Sequence, residues 1–404
     1  MLPNGLTAEA LAAAMAEKDP DGLAAAARLR TAYGPDLAAA ALHQASLRRR
    51  ARTKFGDAAA GMFFTRDGLE QATRPAVAAH HAARLRDAGA SRVVDLGCGI
   101  GTDAMAFADA GLEVVAVERE PGTAAVAAAN LGERGRVVCA DAEQVAAQLL
   151  TPGTAAFCDP ARRTGSGRLW RVSDFTPSWD LVSGLLAGDR VAGVKLGPAL
   201  PHTLVPATAE AEWVTSGADT VEVGLWAGPG ARPHLDVALL LPDDRLEVPR
   251  PVPGRPAVPL PVGPVGRYLY EPDGAVIRAR GVTLLGQRLD AHLLDAEIAY
   301  LSADTLTPTP FATGFEVLEV LPTGLKALRR WVREHDVGTL EIKKRGLDID
   351  PAVLRRQLAP RGPASASLVL SRTSAGAVAL VVRRLGSTGV PGANPGADAG
   401  TRSG

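Results

Sequence analysis

The stretch "VVDLGCGIGTD", Val93 to Asp103, decides how the rest of the chain is read. Before it and into it, "SRVVDLGC" reads as a short β-branched strand; after it, "TDAMAFADAG" reads as a helix. Gly97, Gly99 and Gly101 join the two. Glycine has no Cβ, so such a turn can be tight and its backbone can approach a ligand closely. Two details narrow the ligand. The spacing is G-x-G-x-G, with Thr102 where the G-x-G-x-x-G of dinucleotide binders has its third glycine. Asp95 lies inside the strand end, two residues before Gly97. A carboxylate there suits a cationic ligand group and would repel a pyrophosphate. A nicotinamide enzyme and a glycine turn without a ligand are the alternatives at this level.

Outward from that turn the chain alternates. "LEVVAVER", "RVVCAD", "AAFCDP" and "RVAGVKLG" read as strands. "PGTAAVAAANLGERG", "AEQVAAQLL" and a segment around Trp179 to Leu186 read as the helices between them. Strands alternating with helices of this length predict a parallel sheet with helices on both faces. "AEWVTS", "TVEVGLW" and "DVALLLP" are closely spaced and read as antiparallel strands closing the sheet edge. This α/β domain is expected over 59–245. Upstream, 1–58 is Ala- and Leu-rich with helical periodicity and carries Arg48, Arg49, Arg50 and Arg52. A helix from Arg74 to Asp87 has Pro75 in its first turn. Downstream, 246–310 is a Pro/Gly-rich linker and connecting segment, and 311–385 spells β-α-β-α-β-β, a small second α/β domain. Residues 386–404 read as a disordered tail.

The composition fits this reading. The chain has 404 residues, 47% hydrophobic and 22% charged, with zero formal net charge, which suits a soluble protein of two or three domains. Cys98, Cys139 and Cys158 each end an apolar run and lack metal-site or disulfide spacing, so they read as reduced core residues of a cytoplasmic protein. No apolar run approaches the roughly 20 residues of a membrane helix, and no signal-peptide pattern opens the chain. The zero net charge hides an asymmetry. From Thr323 to Arg384 there are thirteen Lys or Arg against five Asp or Glu, a net of +8. A basic patch attracts a polyanion; a solvated surface is the other reading.

Candidate site residues follow from the strand tips. Asp95 ends the first strand, Glu118 the second, seventeen residues beyond Gly101, and Asp141 the third. An open parallel sheet binds its ligand outside those ends, where Glu118 suits a ribose diol and Asp141 an adenine amino group. The fourth strand ends in Asp159 and Pro160, followed by Arg162 and Arg163.

This arrangement resembles the class I S-adenosylmethionine-dependent methyltransferases over roughly residues 60 to 245. The resemblance implies a Rossmann-like sheet and S-adenosyl-L-methionine as cofactor. It implies that Asp95 and the backbone of Gly97 to Gly101 hold the methionine part, Glu118 the ribose and Asp141 the adenine, with Arg119 and Ala142 beside them. In that fold the fourth strand ends beside the transferable methyl. Members that methylate planar nitrogens carry Asp or Asn, Pro, Pro and often an aromatic there. Here Asp159 and Pro160 match, Ala161 stands at the second proline, and Arg162 replaces the aromatic. An arginine can stack on a base or bind phosphate. The related mechanism at uracil C5 needs a catalytic cysteine, and no cysteine follows Cys158.

"LEQAT", "DLGCGIGTD", "DPARR", "KLGPAL" and "TLEIKKRG" together resemble one bacterial group: class I methyltransferases with a C-terminal THUMP-like domain. That likeness implies RNA as the partner, because THUMP domains bind RNA. Glu70 and Gln71, on a segment entering the first strand, Arg163, and Lys195 at the fifth strand's end are then candidate substrate contacts. Lys343, Lys344 and Arg345 are the expected phosphate contacts of the C-terminal domain. For Lys195 a structural salt bridge is the other reading, and for Lys343 to Arg345 a domain-docking surface. The implied activity is methylation of a nucleobase nitrogen of structured RNA. The rivals are a methyltransferase acting on DNA, protein or a small molecule, and a non-catalytic RNA-binding protein.

Overall fold

The computed structural model describes residues 3–162, 172–252 and 258–386. The chain divides into two compact units. Residues up to Gly217 with Val221–Leu235 form the first; Ala218–Thr220 and the chain from Asp236 onward form the second.

The first unit opens with three helices, α1 (Ala8–Met15), α2 (Leu23–Tyr33) and α3 (Pro35–Phe55). Thr7 caps α1 by accepting a hydrogen bond from the Ala10 amide. Pro35 starts α3, and Gly56 ends it at a φ of +58°. Leu29, Leu42, Leu47 and Phe55 from these helices share one apolar core with Phe64, Ile100 and Val126. Asn130 adds a polar clamp: its side-chain carbonyl accepts from the Phe63 amide, and its amide donates to the Phe63 and Ile100 carbonyls. The N-terminal helices are therefore packed onto the glycine turn, in the same unit as the sheet.

Two helices lead into the sheet, α4 (Arg66–Gln71), capped by Thr65, and α5 (Pro75–Asp87). Then follow β1 (Arg92–Leu96), α6 (Thr102–Asp109), β2 (Glu113–Glu118), α7 (Pro121–Leu131), β3 (Gly135–Cys139), α8 (Ala142–Leu149) and β4 (Ala155–Cys158). A two-residue antiparallel pair, β5 (Ala161–Arg162) with β6 (Phe175–Thr176), brings the chain back toward the crevice. Next come α9 (Trp179–Ala187), β7 (Ala192–Leu196), β8 (Glu210–Ser216) and β9 (Asp219–Ala227). Within the first unit the strands lie in the order β8-β9-β7-β4-β1-β2-β3. β3, β2, β1, β4 and β7 run parallel, and β9 is antiparallel to β7. The inner parallel strands β1, β2 and β4 are largely buried, as strands sandwiched by helices must be, whereas the edge strand β3 is half-exposed. Val93, Val114, Ala116 and Phe157 pack against Leu85 of α5, Phe107 of α6 and Leu131 of α7. Each of the Val, Leu and Phe side chains among them contributes about 1.5–3 kcal/mol on burial.

Register places the site. Leu96 stands level with Val117 on one side and Cys158 on the other. One residue further on, Gly97, Glu118 and Asp159 emerge side by side. β1 is also where the strand order reverses, the position at which open α/β sheets bind ligands.

The second unit holds β10 (Leu235–Leu240), β11 (Asp244–Pro249), β12 (Tyr268–Pro272), α10 (Gly274–Arg278), α11 (Val282–Arg288), β13 (His292–Asp295) and β14 (Ile298–Ala303). It continues with β15 (Ala312–Pro322), α12 (Leu325–Glu334), β16 (Val337–Arg345), α13 (Pro351–Leu358), β17 (Ala364–Thr373) and β18 (Gly376–Arg384). Seven strands form one sheet, ordered β13-β14-β12-β15-β18-β17-β16. Leu328, Trp331 and Leu354 of the helices cover one side of it, while Leu269, Tyr300 and Phe315 form a core with Val369 and Leu380. The segment 246–310 thus differs from the linker expected of it: three of the seven strands and two helices come from it. Its prolines and glycines crowd the stretch before Tyr268 and conceal the strands behind. Cys98 and Cys158 are buried, whereas Cys139 is exposed on the edge strand β3. The expected tail lies outside the described residues from 387 onward.

Candidate active site

A crevice of about 260 Å³ opens at the carboxyl ends of β1, β2, β3 and β4. The glycine turn forms its floor. The Gly97 and Cys98 amides both donate to the Val117 carbonyl, at 2.9 and 3.0 Å. Gly97 and Gly101 have φ values of +88° and +85°, which a residue with a Cβ would resist. A Cβ on Gly97 would also press on the Asp159 carbonyl at 3.2 Å.

Asp95 is 1% exposed and lines this crevice. Neither of its carboxylate oxygens has a hydrogen-bond partner among the described residues. Burial, and then the neighbouring Asp103 and Asp159, push its carboxyl well above the usual range. Glu118 accepts from the Gly99 amide at 3.1 Å and from the Glu120 amide at 2.9 Å, so both its oxygens are held in place. Asp141 caps α8 by accepting from the Glu143 amide. Arg119, Ala142 and Gln71 complete this part of the lining.

Asp159 stands at the tip of β4 with 36% of its side chain exposed. Lys195, on β7, forms an ion pair with its Oδ2. Lys195 also donates to Thr73 Oγ1 at 2.9 Å, and Thr73 donates to Asp103 Oδ2. Asp103 Oδ1 meets His81 Nδ1 at 2.8 Å, and His81 Nε2 meets Glu222 Oε1 at 2.6 Å. The result is a polar chain, Glu222–His81–Asp103–Thr73–Lys195–Asp159, buried as far as Thr73 and opening to the crevice at Asp159. Burial alone would discharge His81, but Glu222 and Asp103 outweigh it and push the imidazole up to about 10. Burial likewise works against the Lys195 charge, and Asp159, Asp103 and Glu222 overcome it and raise its pKa. Burial raises the carboxyl of Asp103 too, yet the His81 hydrogen bond more than offsets this and holds it below the ordinary value. Charges alternate along the chain, and every carboxylate in it has a cation. Asp95, in the same crevice, has neither a cation nor a hydrogen-bond donor among the described residues.

The structure sorts the sequence-derived residues. Asp95, Gly97, Gly99, Glu118, Asp141 and Asp159 meet in the crevice, and Gly101 starts α6 beside them. Pro160 is buried behind Asp159. Arg162 ends β5, and Arg163 lies outside the described residues. Glu70 is exposed, 4.0 Å from both Arg50 and Arg66, and does not line the crevice. Lys195 was expected to face a substrate or to make a salt bridge; it makes the salt bridge. In the second unit, Lys343 donates to Glu271 at 2.6 Å, Arg345 lies 3.6 Å from the same carboxylate and stacks on Tyr300, and Lys344 donates to the Leu347 carbonyl. These bonds depart from the expected row of open phosphate contacts. Lys343 and Arg345 are two residues apart on a strand, share a face, and find one acidic partner there. His81, Asp103 and Glu222 were missed, while Thr73 belongs to the polar segment, with Glu70 and Gln71, that the sequence places before the first strand. Asp103 ends the quoted motif, but His81 and Glu222 are 141 positions apart, and no local pattern announces their bond.

The strand order around β1, the glycine turn and the carboxylates at consecutive strand tips define the class I methyltransferase fold. Comparison with known proteins agrees. Residues 94–149 match a family described as methyltransferase domain, residues 312–384 one described as THUMP domain-like, and residues 3–51 a domain of unknown function. Two S-adenosylmethionine-dependent methyltransferases from strains of Mycobacterium tuberculosis are each 34% identical over 354 residues, covering 83% of this chain and 93% of theirs. A crystal structure from Porphyromonas gingivalis, provisionally assigned as a methyltransferase, superposes with a TM-score of 0.74 over 95% of this chain and 100% of its own, at 21% identity. At that identity the likeness shows the fold. The chain belongs to the S-adenosylmethionine-dependent methyltransferases.

Proposed function

We propose that the protein methylates a nucleobase nitrogen of structured RNA, with S-adenosyl-L-methionine as the donor. The observation that carries the acceptor chemistry is Asp159 at the tip of β4, with Oδ2 fixed by Lys195 and Oδ1 without a partner among the described residues. Asp95 carries the cofactor fit: a buried carboxylate without a partner suits the ammonium of the methionine part. Glu118, already aligned by two backbone amides, takes the ribose hydroxyls. Asp141 takes the adenine amino group, and the backbone from Gly97 to Gly101 allows close approach, with Arg119 and Ala142 beside it.

The bound cofactor supplies a methyl activated by its sulfonium. The chain's own residues then need to position the acceptor. Asp159 Oδ1 and the Pro160 carbonyl accept hydrogen bonds from the amine and aim its lone pair into the crevice. Lys195 keeps Asp159 oriented. Arg162 and Arg163 follow in the sequence, and an arginine there can stack on the base or bind its phosphate. The THUMP domain-like match and the net charge of +8 from Thr323 to Arg384 support RNA as the substrate. A methyltransferase of protein or a small molecule would have no need of that basic domain; DNA carries the same phosphate charge, and the THUMP domain-like match is what favours RNA over it.

The test is incubation of the purified protein with radiolabelled S-adenosylmethionine and bulk RNA, DNA or protein from a strain lacking the gene. Label should enter RNA, and Asp159→Ala should lower the rate by about 100-fold, the scale of losing a positioning group. Label found only in protein overturns the RNA reading. Undiminished labelling by Asp159→Ala overturns the role of Asp159.

A further inference from the structure

Thr73 sits in a break between two helices. Ala72 leaves the helical conformation after α4, and Pro75 opens α5, which sets the residue before it extended, at φ −64° and ψ 142°. Thr73 therefore follows neither helix and is carried inward, 5% exposed, onto the wall of the crevice. Its hydroxyl has one proton, and the neighbours decide where that proton points. The Lys195 ammonium has only protons to give. Asp103, ionised despite its burial because His81 bonds to it, has only lone pairs. Thr73 Oγ1 must then accept from Lys195, at 2.9 Å, and donate to Asp103 Oδ2. A valine has the same shape and can do neither.

The two partners stand on opposite sides of the reaction. Asp103 lies in the first turn of α6, two residues past Gly101, and is carried by the glycine turn that floors the crevice. Lys195 is carried by the strand tips. Cys158 and Val194 are level across β4 and β7, and Asp159 and Lys195 are the next residues on each. One oxygen, Thr73 Oγ1, bonds to both sides. Among the described residues the acceptors for the Lys195 ammonium are this oxygen and Asp159 Oδ2. Without the hydroxyl, Asp159 is left, and the ammonium and carboxylate can turn together.

We propose that Thr73 is a positioning residue for methyl transfer: its hydroxyl ties Lys195, and through it the Asp159 carboxylate that holds the acceptor, to the glycine turn that holds the donor. This rests on the role given to Asp159 above. Transfer needs the nitrogen lone pair in line with the carbon–sulfur bond, and a misplacement of about 1 Å costs about a hundredfold in rate. A hydroxyl that only satisfies the buried Asp103 Oδ2 is the competing role.

The experiment compares Thr73→Val with Thr73→Ser in the full chain. Rates are measured with radiolabelled S-adenosylmethionine and whichever of bulk RNA, DNA or protein takes label. Thr73→Val should lower kcat tenfold or more while both KM values stay within twofold, and Thr73→Ser should recover most of kcat. Lys195 itself is followed by ¹⁵N NMR of its ammonium, whose signal survives where exchange with water is slow and is assigned by its loss in Lys195→Arg. Exchange should quicken at least fivefold in Thr73→Val and return to the wild-type rate in Thr73→Ser. Thr73→Ala goes through both measurements and should follow Thr73→Val, so the outcome does not hang on one variant folding. A Thr73→Val chain that melts lower yet keeps kcat, while Asp159→Ala loses it, overturns the proposal and leaves the role of Asp159 standing. Full activity in Asp159→Ala overturns that role and the proposal with it. Equal Lys195 exchange in wild type and Thr73→Val overturns the proposal whatever the acceptor.

Discussion

Asp95 is costly to the folded chain by itself. In the proposed binding mode the cofactor's ammonium meets this buried, unpartnered carboxylate, and that has a measurable sign. Its folded pKa is raised above the unfolded value of about 3.9. Its contribution to stability is therefore fully present below that pH and is lost as pH rises through the folded value. Asp95→Asn should raise the melting temperature of the cofactor-free protein at pH 8, and the gain should shrink toward pH 4. The same variant should weaken S-adenosylmethionine by tenfold or more. Binding should also release a proton from the wild type, because the ammonium favours the ionised carboxylate. Calorimetry in buffers of different ionisation enthalpy measures this, and equal proton release from Asp95→Asn would contradict it.

At the scale of elements, the polar chain from Glu222 to Asp159 ties β9, α5, α6, β7 and β4 together at one point. Removing its centre should cost more than a surface ion pair. His81→Gln leaves Asp103 and Glu222 buried without their shared cation, a loss of about 3–5 kcal/mol in a denaturant titration. The His81 pKa is raised, so its contribution is fully present below about pH 6.5 and is lost as pH rises through about 10. The difference between wild type and His81→Gln should narrow over that range. A difference that widens with pH would show that His81 is not the cation here. The partners in this polar chain are set by tertiary contacts, not by local sequence. Periodicity and glycine chemistry are local, so β1 to β4, the turn at Gly97 and the carboxylates at strand tips were legible. The partners of Lys195 and His81 depend on strands meeting across the fold, as does the packing of the N-terminal helices against Ile100 and Val126. Neither leaves a pattern in any short window.

At the scale of the whole molecule, the charge excess between Thr323 and Arg384 was visible, but its useful part was not. Lys343 and Arg345 are held by Glu271. On α12, Leu328, Trp331 and Val332 are buried while Lys326, Arg329 and Arg333 are exposed, and these three line a groove with Arg361. If the substrate is RNA, affinity should fall steeply with salt. Changing Lys326, Arg329 and Arg333 to Gln should reduce the log–log slope by about 2, since each phosphate contact on a single strand contributes about 0.7. Lys343→Gln should leave the slope nearly unchanged and lower the denaturant midpoint instead. An unchanged slope in the triple variant would move the RNA contact elsewhere. Among the described residues no helix is long and apolar enough to cross a membrane.

The unpartnered Asp95 also bears on how long the protein survives in a cell. A ligand at a hundred times its Kd stabilises the state that binds it by about 2.7 kcal/mol, enough to change the fraction open to proteases about a hundredfold. Methionine supply would then govern the enzyme's abundance as well as its turnover. A starved cell would clear the wild-type chain faster than Asp95→Asn, and a pulse-chase of the two would read that difference directly.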